Sequence, residues 1–210
     1  MRLRTLEEIS LELKLDKNIQ VRHDYIPIYT YLFEPMRFSV QNILEIGIGV
    51  VEEQQMPHCQ HVGYQTGNSL RCWREYFGNA NVYGMDKYET QIQEDRITTF
   101  VGDQFDEKDL DRICQTINHP LDIIIDDGSH LMEHQVFTFI KLSPFLEKHG
   151  LYIIEDIQPE AQAIFRDLSI FSKEEQEYIS KHFDVNCYDM TTNRSGSNDD
   201  FIMVFYKNML

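Results

Sequence analysis

The sequence is poor in positive charge. It contains 19 Lys and Arg residues against 35 Asp and Glu, which gives a formal net charge of −16. No run of Lys or Arg forms a surface for phosphates, so the composition argues against nucleic acid as a partner. The acidic excess either simply keeps the protein in solution or, in part, binds a cation.

Cysteine clusters and long apolar runs are also missing. The apolar runs are strand-sized, well below the ~20 residues that cross a bilayer. The N-terminus, MRLRTLEEIS, carries charges where a signal peptide has its apolar segment. We therefore expect a cytoplasmic protein with no membrane partner. No C-x-x-C spacing is present, which argues against a zinc ribbon or a dense disulfide framework, and we expect reduced cysteines. These are Cys59, Cys72, Cys114 and Cys187.

The length and the aromatic content suit one core. With 210 residues, 13 Phe and 11 Tyr, the chain can bury most of its apolar surface in a single domain. We predict one domain over residues 1–210, with an N-terminal helical segment (1–40) and an α/β core (41–210). Thr5 and Glu8 have the spacing of a capping box, which predicts a short helix, and a second helix is expected after Asp24.

Short apolar runs recur from residue 42 onward, separated by amphipathic stretches. This is the pattern of βαβ units in a parallel sheet, with strands expected at 42–47, 81–86, 97–101, 121–126 and 150–156. A helical region that begins with a second capping box, Ser172 to Glu175, precedes two more strand-like runs, 183–189 and 201–207. The sequence thus predicts five parallel strands followed by an antiparallel pair.

Acidic residues follow the predicted strands, most clearly in LDIIIDDGSH (121–130) and GLYIIEDIQP (150–159). Because the carboxyl ends of parallel strands lie on one edge of a sheet, we expect these carboxylates to converge there. They would repel one another unless cations or hydrogen-bond donors share the space. The converging residues are Glu45, Asp86, Asp103, Asp126, Asp127, Glu155 and Asp156.

The first strand ends in a G-x-G turn, Gly47 and Gly49. A dinucleotide-binding fingerprint would continue with a third glycine opening a helix, whereas here a long loop runs to a helix start near Ser69, which argues against NAD. Asp86, at the end of the second strand, is either a ligand for ribose hydroxyls or an ordinary turn aspartate.

The chain resembles the class I S-adenosyl-L-methionine (SAM) dependent methyltransferases. More narrowly, it is similar to the metal-dependent sugar O-methyltransferases of the mycinamicin and demethylmacrocin type. The similarity runs from about residue 42 to 157 through ILEIGIG, GNSLRCWREYFGNANVYGMD, VGDQFD, LDIIIDDGSH, HQVFTFIKLSPFLEKHG and LYIIEDI, in that order. It implies a Rossmann-like, doubly wound, seven-stranded sheet, mostly parallel with a C-terminal antiparallel strand pair.

The resemblance also implies roles for individual residues. SAM would be held by Glu45 and Gly47 at its methionine end, Ser69 at its carboxylate, Asp86 at its ribose, Asp103 and Gln104 at its adenine, and Asp126 near its sulfonium. A divalent cation would be bound by Asp127, Glu155 and Asp156. The chain departs from this pattern in the long loop of residues 50–68, because many relatives run almost directly into a G-G-S-L helix start, and in having Asn68 before Ser69.

The chemistry of these residue types agrees with those roles. Oxygen ligands without cysteine favour Mg²⁺, with Mn²⁺ as a substitute. His130 lies three residues after Asp127 and is placed to take the proton of an acceptor hydroxyl as general base. The alternative is that Ser129 and His130 only cap a helix starting near Leu131. His134 either lines the acceptor pocket or is structural.

The predicted function is therefore SAM-dependent and metal-dependent methylation of a sugar hydroxyl, with Asp127 and His130 as catalytic residues. The preferred acceptor is a deoxyhexose such as rhamnose, free or in a glycan, and a homo-oligomer is possible. Two alternatives stay open: a catechol-type O-methyltransferase and a non-catalytic SAM-binding module of a larger glycan-processing protein. Near the N-terminus, Tyr25, Tyr29 and Tyr31 either roof the site or pack as core and surface aromatics.

Overall fold

The computed structural model describes residues 2–50, 63–90, 92–193 and 197–209. Most of the predicted 50–68 loop, with Cys59, lies outside these ranges. The α-helices are α1 (Leu6–Glu12), α2 (Ile26–Phe33), α3 (Asn68–Tyr76), α4 (Glu107–Ile117), α5 (Met132–Leu142), α6 (Pro159–Arg166) and α7 (Lys173–His182). The strands are β1 (Asn42–Ile46), β2 (Asn81–Asp86), β3 (Ile97–Val101), β4 (Leu121–Asp126), β5 (Leu146–Ile154), β6 (Phe183–Asp189) and β7 (Phe201–Lys207). Short 3₁₀ turns occupy Glu34–Met36 and Ser143–Phe145.

The seven strands form one sheet in the order β3-β2-β1-β4-β5-β7-β6. The pairs β1–β2, β1–β4, β2–β3 and β4–β5 are parallel, whereas β7 runs antiparallel to both β5 and β6. The predicted α/β, Rossmann-like sheet with its antiparallel C-terminal pair is confirmed. The chain order reverses at β1 and β4, which is the switch point where ligands bind in such sheets.

Both faces of the sheet are buried, as expected for parallel strands between helices. Along β4, Ile123 and Ile125 pack in one apolar cluster while Ile124 packs in the other, because successive side chains of a strand point to opposite faces. The first cluster also contains Leu6 of α1 and Phe33 of α2, so the N-terminal helices pack directly on the sheet.

Local signals predicted the ends of several elements. Both capping boxes form, with Thr5 before α1 and Ser172 before α7 each accepting a backbone hydrogen bond from the residue three positions on. Cys72 and Cys114 are buried and pack in the two apolar clusters. Strand β5 begins at Leu146 rather than near residue 150, and it ends at Ile154, so Glu155 and Asp156 follow the strand. Within the described ranges, no helix is long and apolar enough to cross a membrane.

Candidate active site

A cleft of about 420 Å³ opens at the carboxyl ends of the central strands. This volume lies within the ~300–1,000 Å³ of ordinary small-molecule sites. Its walls include the predicted residues Gly47, Asp86, Asp103, Gln104, Asp127, His130 and Asp156. They also include Asp16 and Arg22, from the segment between α1 and α2, which sequence reasoning did not assign to the site.

Two glycines allow the loops around the cleft to pack closely. Gly47 has φ +78°, and a Cβ there would lie 2.0 Å from the backbone oxygen of Asp127. A Cβ on Gly128 would lie 2.1 Å from Oε1 of Gln104. Gly47 therefore lets the loop after β1 meet the loop after β4, and Gly128 makes room for the Gln104 side chain.

The residues predicted at the ribose and adenine of SAM lie on the β2 and β3 side of the cleft. Asp86 accepts hydrogen bonds from the backbone N–H groups of Ile48 and Tyr88, both at 3.1 Å. Burial raises the pKa of Asp86. Asp103 is more exposed, and its Oδ1 accepts from the N–H of Phe105 at 2.9 Å. Asp86 is thus a turn aspartate that also lines the cleft, so its two proposed roles are compatible.

Gln104 and Asp126 form a buried polar pair beneath the cleft. Nε2 of Gln104 donates to Oδ1 of Asp126 at 3.2 Å, while its Oε1 accepts from the N–H of Ser129 at 2.6 Å. Asp126 is 0% exposed, and its Oδ2 has no hydrogen-bond partner among the residues that the structure describes. Burial raises the pKa of Asp126 from 3.8 to about 7.

Glu45 and Ser69 are buried behind the cleft wall rather than on it. Glu45 is 0% exposed and accepts from Nε1 of Trp73 at 3.2 Å. Burial raises its pKa to about 7, although Lys17 opposes the shift. Ser69 lies beside Glu45 in the first turn of α3, whose N-cap is Gly67 in the left-handed region. In this arrangement neither side chain faces the cleft, so their predicted contacts with SAM remain predictions.

Asp127, His130 and Asp156 meet at one end of the cleft. Each offers a ligand atom, and these atoms lie within 4.8 Å of one another. Nε2 of His130 is 3.9 Å from Oδ2 of Asp156, whereas Nδ1 is buried and has no hydrogen-bond partner in the described part of the chain. Nε2 is therefore the nitrogen that faces the cluster. Two carboxylates at this separation are suited to a small hard cation.

His130 and Asp156 both adopt strained backbone conformations, with φ of 58° and 51°. Each non-glycine residue in this region costs on the order of 1–3 kcal/mol, and such residues concentrate at functional sites. With this backbone conformation, His130 presents Nε2 toward Asp156.

Glu155, predicted as a metal ligand, shares Lys17 with Asp127 and lies outside the group formed by Asp127, His130 and Asp156. Its Oε1 accepts a hydrogen bond from the hydroxyl of Tyr29, and its Oε2 accepts from Nζ of Lys17 at 3.1 Å. Both oxygens have partners within the protein, as do Oδ2 of Asp127 and Oδ1 of Asp156, so the role of Glu155 as a metal ligand stays a prediction. Glu155 is buried and lies against the N-terminal segment.

The N-terminal segment supplies site residues that the sequence did not reveal. Lys17 contacts the carboxylates of Asp127 and Glu155. Nδ1 of His23 lies 2.5 Å from Oδ1 of Asp200, and its Nε2 lies 3.5 Å from Oδ2 of Asp156. No local pattern marked either residue, because Asp127 lies 110 positions from Lys17 and Asp200 lies 177 positions from His23.

The tyrosines near the N-terminus divide between the proposed roles. Tyr25 and Tyr29 are buried, and their hydroxyls donate to Asp156 and Glu155 respectively. Tyr31 is 70% exposed. Tyr25 and Tyr29 therefore belong both to the core and to the carboxylate cluster formed by Asp127, Glu155 and Asp156. Tyr31 is a surface aromatic.

The helix-capping alternative for His130 has little support in the structure. Helix α5 begins at Met132 with Leu131 as N-cap, and no side chain caps it by a hydrogen bond. Ser129 Oγ accepts from the N–H of Leu131 at a long 3.4 Å and lies 2.9 Å from Nδ1 of His134. His134 stacks on Phe105 with ring centroids 4.3 Å apart and lines the cleft.

Sequence comparison places this geometry in a known context. The model of the FtsJ-like methyltransferase family matches residues 42–148, just over half of the chain. A curated relative from Streptomyces olivaceus, 8-demethyl-8-alpha-L-rhamnosyl tetracenomycin-C 2'-O-methyltransferase, is 37% identical over 65% of this chain and 34% of its own length. Demethylmacrocin O-methyltransferase of Streptomyces fradiae is 39% identical over 64% of this chain and 32% of its own length. The chain thus spans about a third of these relatives.

Structure comparison agrees with sequence comparison. The MycE methyltransferase from the mycinamycin biosynthetic pathway, solved with Mg and SAH, superposes with a TM-score of 0.76 at 28% identity, over 99% of this chain and 55% of MycE. A putative caffeoyl-CoA O-methyltransferase from Staphylococcus aureus gives a TM-score of 0.56 at 15% identity, over 95% of this chain and 92% of that one, a likeness of fold alone.

Proposed function

Because the chain belongs to the FtsJ-like methyltransferase family, we propose that it is a SAM-dependent, divalent-metal-dependent O-methyltransferase acting on a sugar hydroxyl. The observation that carries the proposal is the meeting of Asp127, His130 and Asp156 in the cleft. We further propose that residues 1–210 form one methyltransferase domain. A deoxyhexose such as rhamnose, attached to a larger molecule, is the preferred acceptor, since a relative modifies a rhamnosyl tetracenomycin.

The cofactor part of the proposal uses the β1 to β4 side of the cleft. Bound SAM supplies an electrophilic methyl group. Asp86, next to the exposed turn at Tyr88, would accept the ribose hydroxyls, and Asp103 and Gln104 would lie beside the adenine. Gly47 lines the cleft and would lie beside the methionyl part. Glu45, Ser69 and Asp126 would act from behind the wall, as buried support for these groups.

The metal part uses the carboxylates of Asp127 and Asp156. Both are oxygen ligands that fit Mg²⁺, and Glu155 would be the third. Asp127 and Glu155 would then exchange their bonds to Lys17 for the cation. A bound divalent cation lowers the pKa of a coordinated hydroxyl. With the cation on oxygen ligands, Nε2 of His130 stays available to accept the acceptor's proton.

The decisive test is methyl transfer to a panel of glycosides with SAM and Mg²⁺, followed by mass spectrometry. We expect a mass gain of one methylene on a rhamnoside, loss of activity with EDTA and recovery with Mg²⁺. Turnover that survives exhaustive chelation would remove the cation from the reaction. Turnover of flat catechols but not of glycosides would favour the catechol-type alternative, and SAM binding without turnover would favour the non-catalytic module.

His130 has its own test. His130→Ala should lower kcat by about 10²–10⁴-fold while SAM affinity stays close to the parental value, because a positioned base acts on the acceptor and not on the cofactor. His119→Ala is the matched control, since His119 is exposed and lies away from the cleft. If His130→Ala keeps more than a tenth of the parental kcat, another group removes the proton.

A further inference from the structure

A lysine ammonium lies inside the carboxylate cluster. Lys17 is 1% exposed, and its Nζ lies 2.5 Å from Oδ2 of Asp127 and 3.1 Å from Oε2 of Glu155. Oε1 of Glu45 is 3.6 Å away, and Oδ1 of Asp16 is 4.0 Å away. The Lys17 ammonium therefore lies within 4.0 Å of four carboxylates from four different parts of the chain.

The backbone around Lys17 holds this ammonium in place. The N–H of Tyr25 donates to the carbonyl of Lys17 at 3.1 Å, and the N–H of His23 donates to that of Asp16 at 2.7 Å. On the other side, Nδ2 of Asn18 donates to Oγ of Ser10 in α1 at 2.9 Å. The segment is thus tied to α1 and folded onto itself, which fixes the backbone at Lys17, while burial and the contacts to Asp127 and Glu155 hold Nζ.

The same Asp127 carboxylate serves both Lys17 and the candidate cation cluster. Its Oδ2 accepts from Lys17, while Asp127 also offers a ligand atom within 4.8 Å of those of His130 and Asp156. A divalent cation bound there would sit a few ångströms from a buried ammonium and would share its ligand. Like charges so close and so shielded from water repel strongly.

We propose that Lys17 is a resident cation of this site: its ammonium neutralises Glu45 and Glu155 and competes with the divalent cation for Asp127. The proposal rests on the metal site of the proposed function. It assigns to the N-terminal segment control over how tightly the cation is held.

The test is direct cation binding, measured by calorimetry with Mg²⁺ and by electron paramagnetic resonance with Mn²⁺. Lys17→Met keeps the length of the side chain and removes the charge, so it should tighten cation binding at least about tenfold. Lys17→Arg, which keeps the charge, should not tighten it. Lys14→Met is the matched control, because Lys14 is exposed and lies three positions away, and it should leave the affinity unchanged.

A second variant and a measurement on the parent protein test the proposal even if Lys17→Met fails to fold. Lys17→Gln retains a hydrogen-bond donor for the carboxylates and should also tighten binding. In the unaltered protein, the ¹⁵N signal of Lys17 Nζ, assigned with Lys17→Arg, should shift during an Mg²⁺ titration. A signal that stays fixed while Mg²⁺ saturates the protein would overturn the competition.

The two proposals fail in different ways. If Lys17→Met and Lys17→Gln bind Mn²⁺ no more tightly than the parent does, Lys17 does not compete and the inference alone falls. If neither the parent nor any Lys17 variant binds Mn²⁺, while all of them are folded by circular dichroism, the metal site of the proposed function falls and takes this inference with it.

Discussion

Asp126→Asn should stabilise the protein without ligands at neutral and alkaline pH. Asp126 is wholly buried, and burial raises its pKa from 3.8 to about 7. The charged carboxylate is therefore penalised in the folded state relative to the unfolded chain. An asparagine has nearly the same shape and can keep its Oδ1 as acceptor for Gln104 while carrying no charge.

The size of the effect follows from the two pKa values. At about 1.4 kcal/mol per pKa unit, the difference between 3.8 and about 7 corresponds to about 4 kcal/mol above pH 7. The sign is set by the raised value: the penalty is absent below the unfolded pKa, grows as the pH rises toward 7 and is constant beyond it. For a chain of this length, this free energy corresponds to roughly 8–16 °C in melting temperature at pH 8.

The assay is chemical denaturation of the parent and Asp126→Asn from pH 4 to 9, in EDTA and without SAM. We expect the gain in unfolding free energy to rise with pH and to level off near pH 7. Asp111→Asn, an exposed change on α4, should show no such rise. A difference between parent and Asp126→Asn that does not change with pH would refute the argument that the buried charge is penalised.

Three further predictions concern single positions. Gly47→Ala should lose at least about 2 kcal/mol and weaken Mg²⁺ binding, because its Cβ meets the Asp127 backbone at a left-handed φ; calorimetry and thermal melts test both effects. Burial lowers the pKa of His23, but the hydrogen bond to Asp200 and the nearby carboxylates raise it by more, so the net pKa is raised. The stability that His23→Gln removes should therefore be present below about pH 6.5 and fade as the pH rises through the raised pKa, as seen by denaturation at pH 5.5 and 8.5. Ser172→Ala should cost about 1 kcal/mol through its lost cap and leave SAM affinity unchanged in a binding titration.

Features that depend on neighbouring residues could be predicted from the sequence. The short apolar runs predicted β2, β3, β4, β6 and β7 with the same bounds as in the structure. The capping boxes at Thr5 and Ser172 marked two helix starts, since a cap is a contact between residues three positions apart. Asp127 and Asp156 each follow an apolar strand in the sequence. Because parallel strands have their carboxyl ends at the same edge of the sheet, this was enough to predict that the two residues lie close together.

The contents of the carboxylate cluster were decided only by the tertiary structure. Lys17 and Glu155 are 138 positions apart, and Tyr29 and Glu155 are 126 apart, so no periodicity connects them. The sequence predicted that cations or donors must separate converging carboxylates, but it could not say that an ammonium and a phenol from the N-terminal segment do so. The identity of a buried group's partners depends on which distant segments pack together, and that is settled by the burial of α1 and α2 against the sheet.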